Sequence, residues 1–211
     1  MGTCSSSRIR LLFMCGCGGA RNVPAFVAGH GVDCNRIDGR KEKFVFKIGE
    51  YVVCGNKGVC RVEDITTLDI TGVDKERKYY ILKPKYISGS TVYVPVDSSG
   101  ESMRKVLQPE EAKDLIGHIP DIPLLTFTDD KLSEQAYKEC MKSNNCEELV
   151  KVIKTIYLRK QKRIQAGRKV TAVDAKYFHL AEESLYGELA VSLDMSRDEV
   201  EAYIAGEIDG R

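Results

Sequence analysis

The chain is poor in the residue types that do chemistry. Its 211 residues include only three histidines, His30, His118 and His179, and no tryptophan. None of the three stands beside a serine or cysteine in a recognisable nucleophile motif, and the carboxylates read as helix caps and solvated faces. No catalytic site is therefore expected. No apolar run reaches about 18 residues, so no membrane-spanning helix is expected either. Arg8-Ile9-Arg10 before Leu11-Leu12-Phe13-Met14 superficially resembles a signal peptide, but the run is too short and no cleavage site follows. Gly16-Cys17-Gly18-Gly19 lacks the Gly-Lys-Ser/Thr ending and the preceding strand of a phosphate loop.

The eight cysteines show no paired Cys-x-x-Cys spacing. Cys15, Cys17, His30 and Cys34 match no usual zinc pattern, and no metal or other cofactor is expected. The Lys/Glu-rich, helix-rich body suggests a cytoplasmic protein with free thiols, Cys54 and Cys60 acting as small hydrophobes on strands.

Residues 1–43 carry neither a helical nor a strand period and read as an irregular or disordered extension. A native start near Phe44 would fit the sequence equally well. Alternation then begins. Tyr51-Val52-Val53, Val59 to Ile65, Lys78 to Lys83 and Ser90 to Pro95 are strand-like and bounded by glycines. Short strands with no helix between them predict a small antiparallel barrel.

From about residue 104 the period turns helical. Pro109-Glu110-Glu111 opens a helix that ends near Gly117. An extended linker with Pro120 and Pro123 follows. Helices are predicted over 129–142, 146–166, 171–193 and 196–205. Thr171…Asp174 and Ser196…Glu199 are capping-box signatures.

Charge is sharply segregated. Lys151 to Val173 holds eight basic residues and no acid, whereas Ala181 to the end holds nine acids. A basic helix end beside an acidic tail gives one face a positive potential suited to phosphates. Lys138 and Lys142 would extend it. No helix-turn-helix or zinc-finger pattern supports base readout, so backbone and shape contacts are the expected mode.

The stretch Phe46-Lys47-Ile48-Gly49-Glu50-Tyr51-Val52-Val53-Cys54-Gly55-Asn56-Lys57-Gly58-Val59 resembles the start of the CarD family of bacterial transcription regulators. It is also similar to the polymerase-interacting module of a repair translocase. A second anchor is Ile153-Lys154-Thr155-Ile156-Tyr157-Leu158-Arg159-Lys160, followed by Leu185-Tyr186-Gly187-Glu188-Leu189-Ala190. The resemblance spans about Phe46 to Ile204. It implies an α+β multidomain chain, with a small antiparallel Tudor/SH3-like β-barrel over 44–104, an all-α helical domain over 105–205 and a tail over 206–211.

It further implies a regulator whose barrel binds the β subunit of bacterial RNA polymerase and whose helical domain contacts promoter DNA. Together these would alter open-complex stability, the protein acting as a monomer at the nucleoid. Polymerase contact is then expected at Thr66, Thr67, Leu68, Thr91, Tyr93 and Pro95. DNA contact is expected at Tyr137, Lys138, Arg159, Lys160, Arg163, Arg168, Lys169 and Lys176. Three departures stand out. Leu68 and Tyr93 align where members carry arginines, the position of the relatives' wedge tryptophan falls near Ser133, and Gln165 to Lys169 resembles an insertion. The competing expectation is a Tudor-like adaptor without DNA contact, with Tyr51, Tyr79, Tyr80, Tyr86 and Tyr93 caging a methylated cation.

Overall fold

The structure, a computed structural model, describes residues 46–68, 76–127 and 132–209. The head over 1–43, with Cys15, Cys17, His30 and Cys34, lies outside the described residues.

Five strands form one antiparallel sheet: β1 (Tyr51–Cys54), β2 (Val59–Thr67), β3 (Lys78–Pro84), β4 (Val92–Pro95) and β5 (Met103–Lys105). Their order is β4-β3-β2-β1-β5. Among the described residues the sheet has β4 and β5 as its edges, and no pairing between them closes it into the expected barrel. A 3₁₀ turn (Val96–Ser98) and a single helical turn (Ser99–Ser102) connect the two edge strands. That helical turn packs against both of them, where a closing ladder would run. β5 has no counterpart in the sequence reading. Three residues show no alternation, and the strand exists through its pairing with β1, Val52 opposite Lys105 and Cys54 opposite Met103.

Period-two alternation puts Val52, Cys54, Cys60, Val62, Tyr80, Leu82 and Val94 on the buried side with Phe46 and Met103. The Tyr80 hydroxyl accepts a hydrogen bond from the Phe46 amide at 3.3 Å, and the two rings meet edge to face. A register shift between Val62 and Asp64 marks a bulge at Glu63 in β2.

Five helices follow: α1 (Pro109–His118), α2 (Ser133–Lys142), α3 (Cys146–Gln165), α4 (Ala172–Ser192) and α5 (Arg197–Asp209). The start signals work as their chemistry demands. Gln108 and Glu111 form a capping box at α1, Asn145 accepts from the Glu147 amide, and Thr171 accepts from the Asp174 amide. Ser196 and Glu199 cap one another at α5. α5 runs on to Asp209, past the expected stop at residue 205, because Gly206 is tolerated inside a helix at modest cost. The helices enclose a second core around Ile116, Tyr137, Val150, Ile156, Leu185 and Leu189.

Candidate functional site

The outer face of the sheet is the first candidate surface. Register sets Pro95 beside Tyr79 and Tyr79 beside Thr66; one step along, Tyr93 lies beside Ile81 and Ile81 beside Asp64. Since neighbours Tyr80, Leu82 and Val94 point into the core, these residues line the opposite face. Tyr93 is 48% exposed and Ile81 is partly so. Thr91 is exposed just before β4 and shares the parity of Tyr93 and Pro95. Thr67 has the opposite parity, and Leu68 lies just past the end of β2, half-buried. The strand register thus assembles Thr66, Tyr93 and Pro95 with Tyr79 and Ile81, two residues the sequence reading did not name for it. An exposed aromatic and aliphatic patch rimmed by polar groups suits protein docking and offers no catalytic group. At its edge Arg77 and Asp97 form a bidentate pair, with Nη2 to Oδ2 at 2.8 Å.

The five tyrosines considered for a cage occupy three places. Tyr80 is in the core, Tyr79 and Tyr93 are on the outer face, and Tyr51 and Tyr86 flank the Lys85 ammonium. Arg197 covers the Tyr86 ring at 4.8 Å.

The second candidate is the junction of α3 and α4. α3 ends in a Schellman motif: the Gly167 amide donates to Ile164 O and the Arg168 amide to Arg163 O at 2.8 Å. Gly167 takes φ +67°, which a glycine adopts without strain. Lys162 and Arg163 sit in the last turn, where the helix dipole favours cations. Lys162, Arg168, Lys169 and Lys176 are exposed, and Lys160 and Arg163 partly so. Lys160 lies over Phe178 and Lys176 over Tyr177, at 5.9 and 5.3 Å.

Several basic residues of the run do other work. Lys154 is only 8% exposed, and its ammonium donates to the carbonyls of Ile119, Pro120 and Ile122 at 2.8, 2.9 and 2.6 Å. Burial pushes its pKa down from the usual lysine value. Lys151 pairs with Glu148. Arg159 lies over Phe127 at 5.1 Å and reaches the buried Asp174 carboxylate at 3.5 Å. Lys138 stays exposed but pairs with Glu134 along its helix.

Tyr137 corrects the sequence expectation. It is 0% exposed, its hydroxyl donates to Asp174 Oδ1 at 3.2 Å, and its ring packs between Phe127 and Tyr177. A residue so enclosed has no face for DNA. Its spacing is that of a core residue, and its hydroxyl meets Asp174 in the first turn of α4. Ser133, the place of the wedge in relatives, is likewise buried at the start of α2.

Burial raises the thiol pKa of Cys54, and raises those of Cys60 and Cys140 to about 12. These thiols stay protonated and unreactive. Among the described residues no group of three or more metal-ligating side chains converges, and no helix is long and apolar enough to cross a membrane.

The residues the sequence reading missed are those joining sheet to helices. Arg104 of β5 and Glu188 of α4 form a bidentate pair, with Nη2 to Oε2 at 2.7 Å. Glu188 also accepts from the Leu107 amide and the Cys146 thiol, and Arg104 donates to the Asn144 carbonyl. In the sequence Gly187 and Glu188 stood only within the family-like stretch Leu185 to Ala190, and nothing there marked the coupling.

Residues 46–107 match the family model described as CarD-like/TRCF RID domain. That stretch is a CarD-like/TRCF RID domain, an RNA polymerase-interacting domain. The match takes in the whole sheet, the patch of Tyr93, and both Tyr86 and Arg104; it ends just before α1. No curated protein matches the chain.

Proposed function

We propose that this chain is a CarD-like transcription regulator that docks on the β subunit of bacterial RNA polymerase through the outer sheet face. The helical lobe then lays its basic α3–α4 junction on promoter DNA, by backbone and shape contacts, and so alters the lifetime of the open complex. The observation that carries this reading is the match of residues 46–107 to an RNA polymerase-interacting domain. The exposed Tyr93 and the partly exposed Ile81 supply an aromatic and aliphatic anchor of the kind that dominates protein interfaces. Docking rests on Tyr79, Ile81, Tyr93 and Pro95 with Thr66 and Thr91 at the rim. Apolar burial there stands in for the arginines that Leu68 and Tyr93 replace.

DNA contact rests on Lys160, Lys162, Arg163, Arg168, Lys169 and Lys176. They lie at the α3–α4 junction, and four of them are exposed. Counterion release from phosphates would drive the binding, with little sequence preference.

The test is capture of purified core polymerase by the immobilised full chain. Retention of polymerase by the native chain, lost in Tyr93→Ala, supports the reading. Failure of the native chain to retain polymerase overturns it.

A further inference from the structure

The two lobes meet where the turn after β3 and the edge strand β5 reach α4 and α5. Tyr86, in the turn after β3, places its ring against α4 where Gly187 has no side chain. A Cβ at Gly187 would stand 3.0 Å from Tyr86 Cε2 and 3.2 Å from Cδ2. The Tyr86 hydroxyl donates to the Gly187 carbonyl at 3.2 Å, and Arg197 of α5 closes over the other part of the ring at 4.8 Å. Beside it, the Arg104–Glu188 pair joins the edge strand β5 to the next residue of α4. Glu188 is 1% exposed and has both oxygens engaged, so a small rotation of the sheet would strip hydrogen bonds from a buried charge. A planar, bidentate guanidinium fixes orientation as well as distance.

The contact is therefore directional in three independent ways: ring on backbone, planar ion pair, and cation on ring. Tyr86 and Arg104 lie outside both cores, and Glu188 meets the helical core through the Cys146 thiol. The sheet core closes around Tyr80 and Leu82, and the helical core around Ile156 and Leu189, without Tyr86 or Arg104. A buried ion pair is weak evidence for stability but a recognised means of specifying one arrangement among several.

We propose that Tyr86, Arg104, Gly187 and Glu188 are positioning residues that hold the RID sheet and the helical lobe at one fixed angle, so that docking by the sheet aims the α3–α4 junction at DNA. The inference rests on the proposed function for its consequence, although not for its geometry. A fixed angle turns the second contact into an intramolecular one at high effective concentration, and a loose joint dilutes it.

The experiment uses the full chain and the double variant Gly187→Ala with Glu188→Gln. Alanine favours the helix more than glycine does, and glutamine keeps the shape of glutamate, so α4 itself is preserved. Amide relaxation in solution is measured first. The native chain should tumble as one body, with one rotational time for sheet and helices; the variant should show two. Binding is measured next, to polymerase alone, to a DNA duplex alone, and to polymerase already holding promoter DNA. The variant should keep the two single affinities within about twofold and lose about tenfold or more on the combined target.

The proposal is overturned if the native lobes tumble independently, if the variant tumbles as one body, or if it tumbles as two with the combined affinity unchanged. Should Glu188→Gln compromise folding, Tyr86→Ala, which lies in a turn outside both cores, is read by the same measurements. If the native chain binds neither polymerase nor DNA, the functional reading fails; the tumbling comparison still decides whether these residues set the angle.

Discussion

The ammonium of Lys154 stands 2.6 Å from the carbonyl oxygen of Ile122 and donates to two more carbonyls, those of Ile119 and Pro120. One residue on, the Thr155 hydroxyl accepts from the Leu125 amide at 2.9 Å. These neighbours on α3 hold the proline-containing linker to the helical core. Lys154→Met should cost roughly 2–4 kcal/mol, because it leaves buried carbonyls without a donor. Urea unfolding measures the loss, and DNA affinity of the folded variant should be unchanged. A stable variant with weakened DNA binding would return Lys154 to the cationic surface.

The basic surface separates from this scaffold by mutation. Changing Lys162, Arg168, Lys169 and Lys176 to glutamate should abolish duplex binding and leave the circular dichroism spectrum intact, since all four are exposed. Single changes to glutamine should flatten the dependence of log K on log salt by about 0.9 for each phosphate no longer neutralised. Fluorescence anisotropy across a salt series reads both. Arg159→Ala should behave differently. It deprives the buried Asp174 carboxylate of its cation and should lower the melting temperature.

Glu182 supplies a pH signature. Burial, followed by the nearby Glu201 carboxylate, raises its pKa from the ordinary carboxylate value of 4.5 to about 7. The folded chain therefore holds a proton that the unfolded chain releases. The resulting stabilisation is complete below about pH 4.5 and is lost as pH rises through 7. Tyr186 faces the same cluster, Glu201 has a buried Oε1 without a hydrogen-bond partner, and Lys160 tempers the repulsion. Glu182→Gln should flatten the fall in stability between about pH 4.5 and 7 and raise stability at the upper end. Denaturant midpoints at the two pH values test this; an unchanged slope in the variant would place the titration elsewhere.

Much of the architecture was readable because it follows from short-range rules. The strands announced themselves by alternation, and three helix starts by a capping side chain or an N-terminal proline. The face holding Thr66, Tyr93 and Pro95 follows from parity. What could not be read depends on contacts between distant residues. β5 is three residues long and owes its state to β1. A fragment ending at residue 97 would therefore strip Met103 from the sheet core and leave β1 an open edge.

Tyr137 and Lys154 illustrate the same limit within the candidate site. Sequence shows that a tyrosine precedes a lysine, or that a lysine falls in a basic run. It does not show that Asp174 lies behind Tyr137 or three carbonyls in front of Lys154. The second anchor also changes meaning with the structure. Lys154, Thr155, Gly187 and Glu188 are internal couplings between linker, lobes and sheet, and only Lys160 of that group lies at the basic junction.

The exposed sheet face should carry binding energy at its centre. Ile81→Asp should weaken polymerase binding by about 2 kcal/mol or more, roughly thirtyfold, because it puts a charge into the buried middle of the interface. Thr67→Ala, on the opposite parity, should leave affinity within about twofold. Interferometry with the full chain reads both, and equal effects from the two changes would move the docking surface elsewhere.

The most direct test places a photo-crosslinking amino acid at Tyr93 in the full chain and irradiates it with assembled core polymerase. The account predicts one dominant adduct, on the β subunit, that disappears when unlabelled native chain is added in excess. Irradiation that yields no competable adduct, or one on a different subunit, would contradict it.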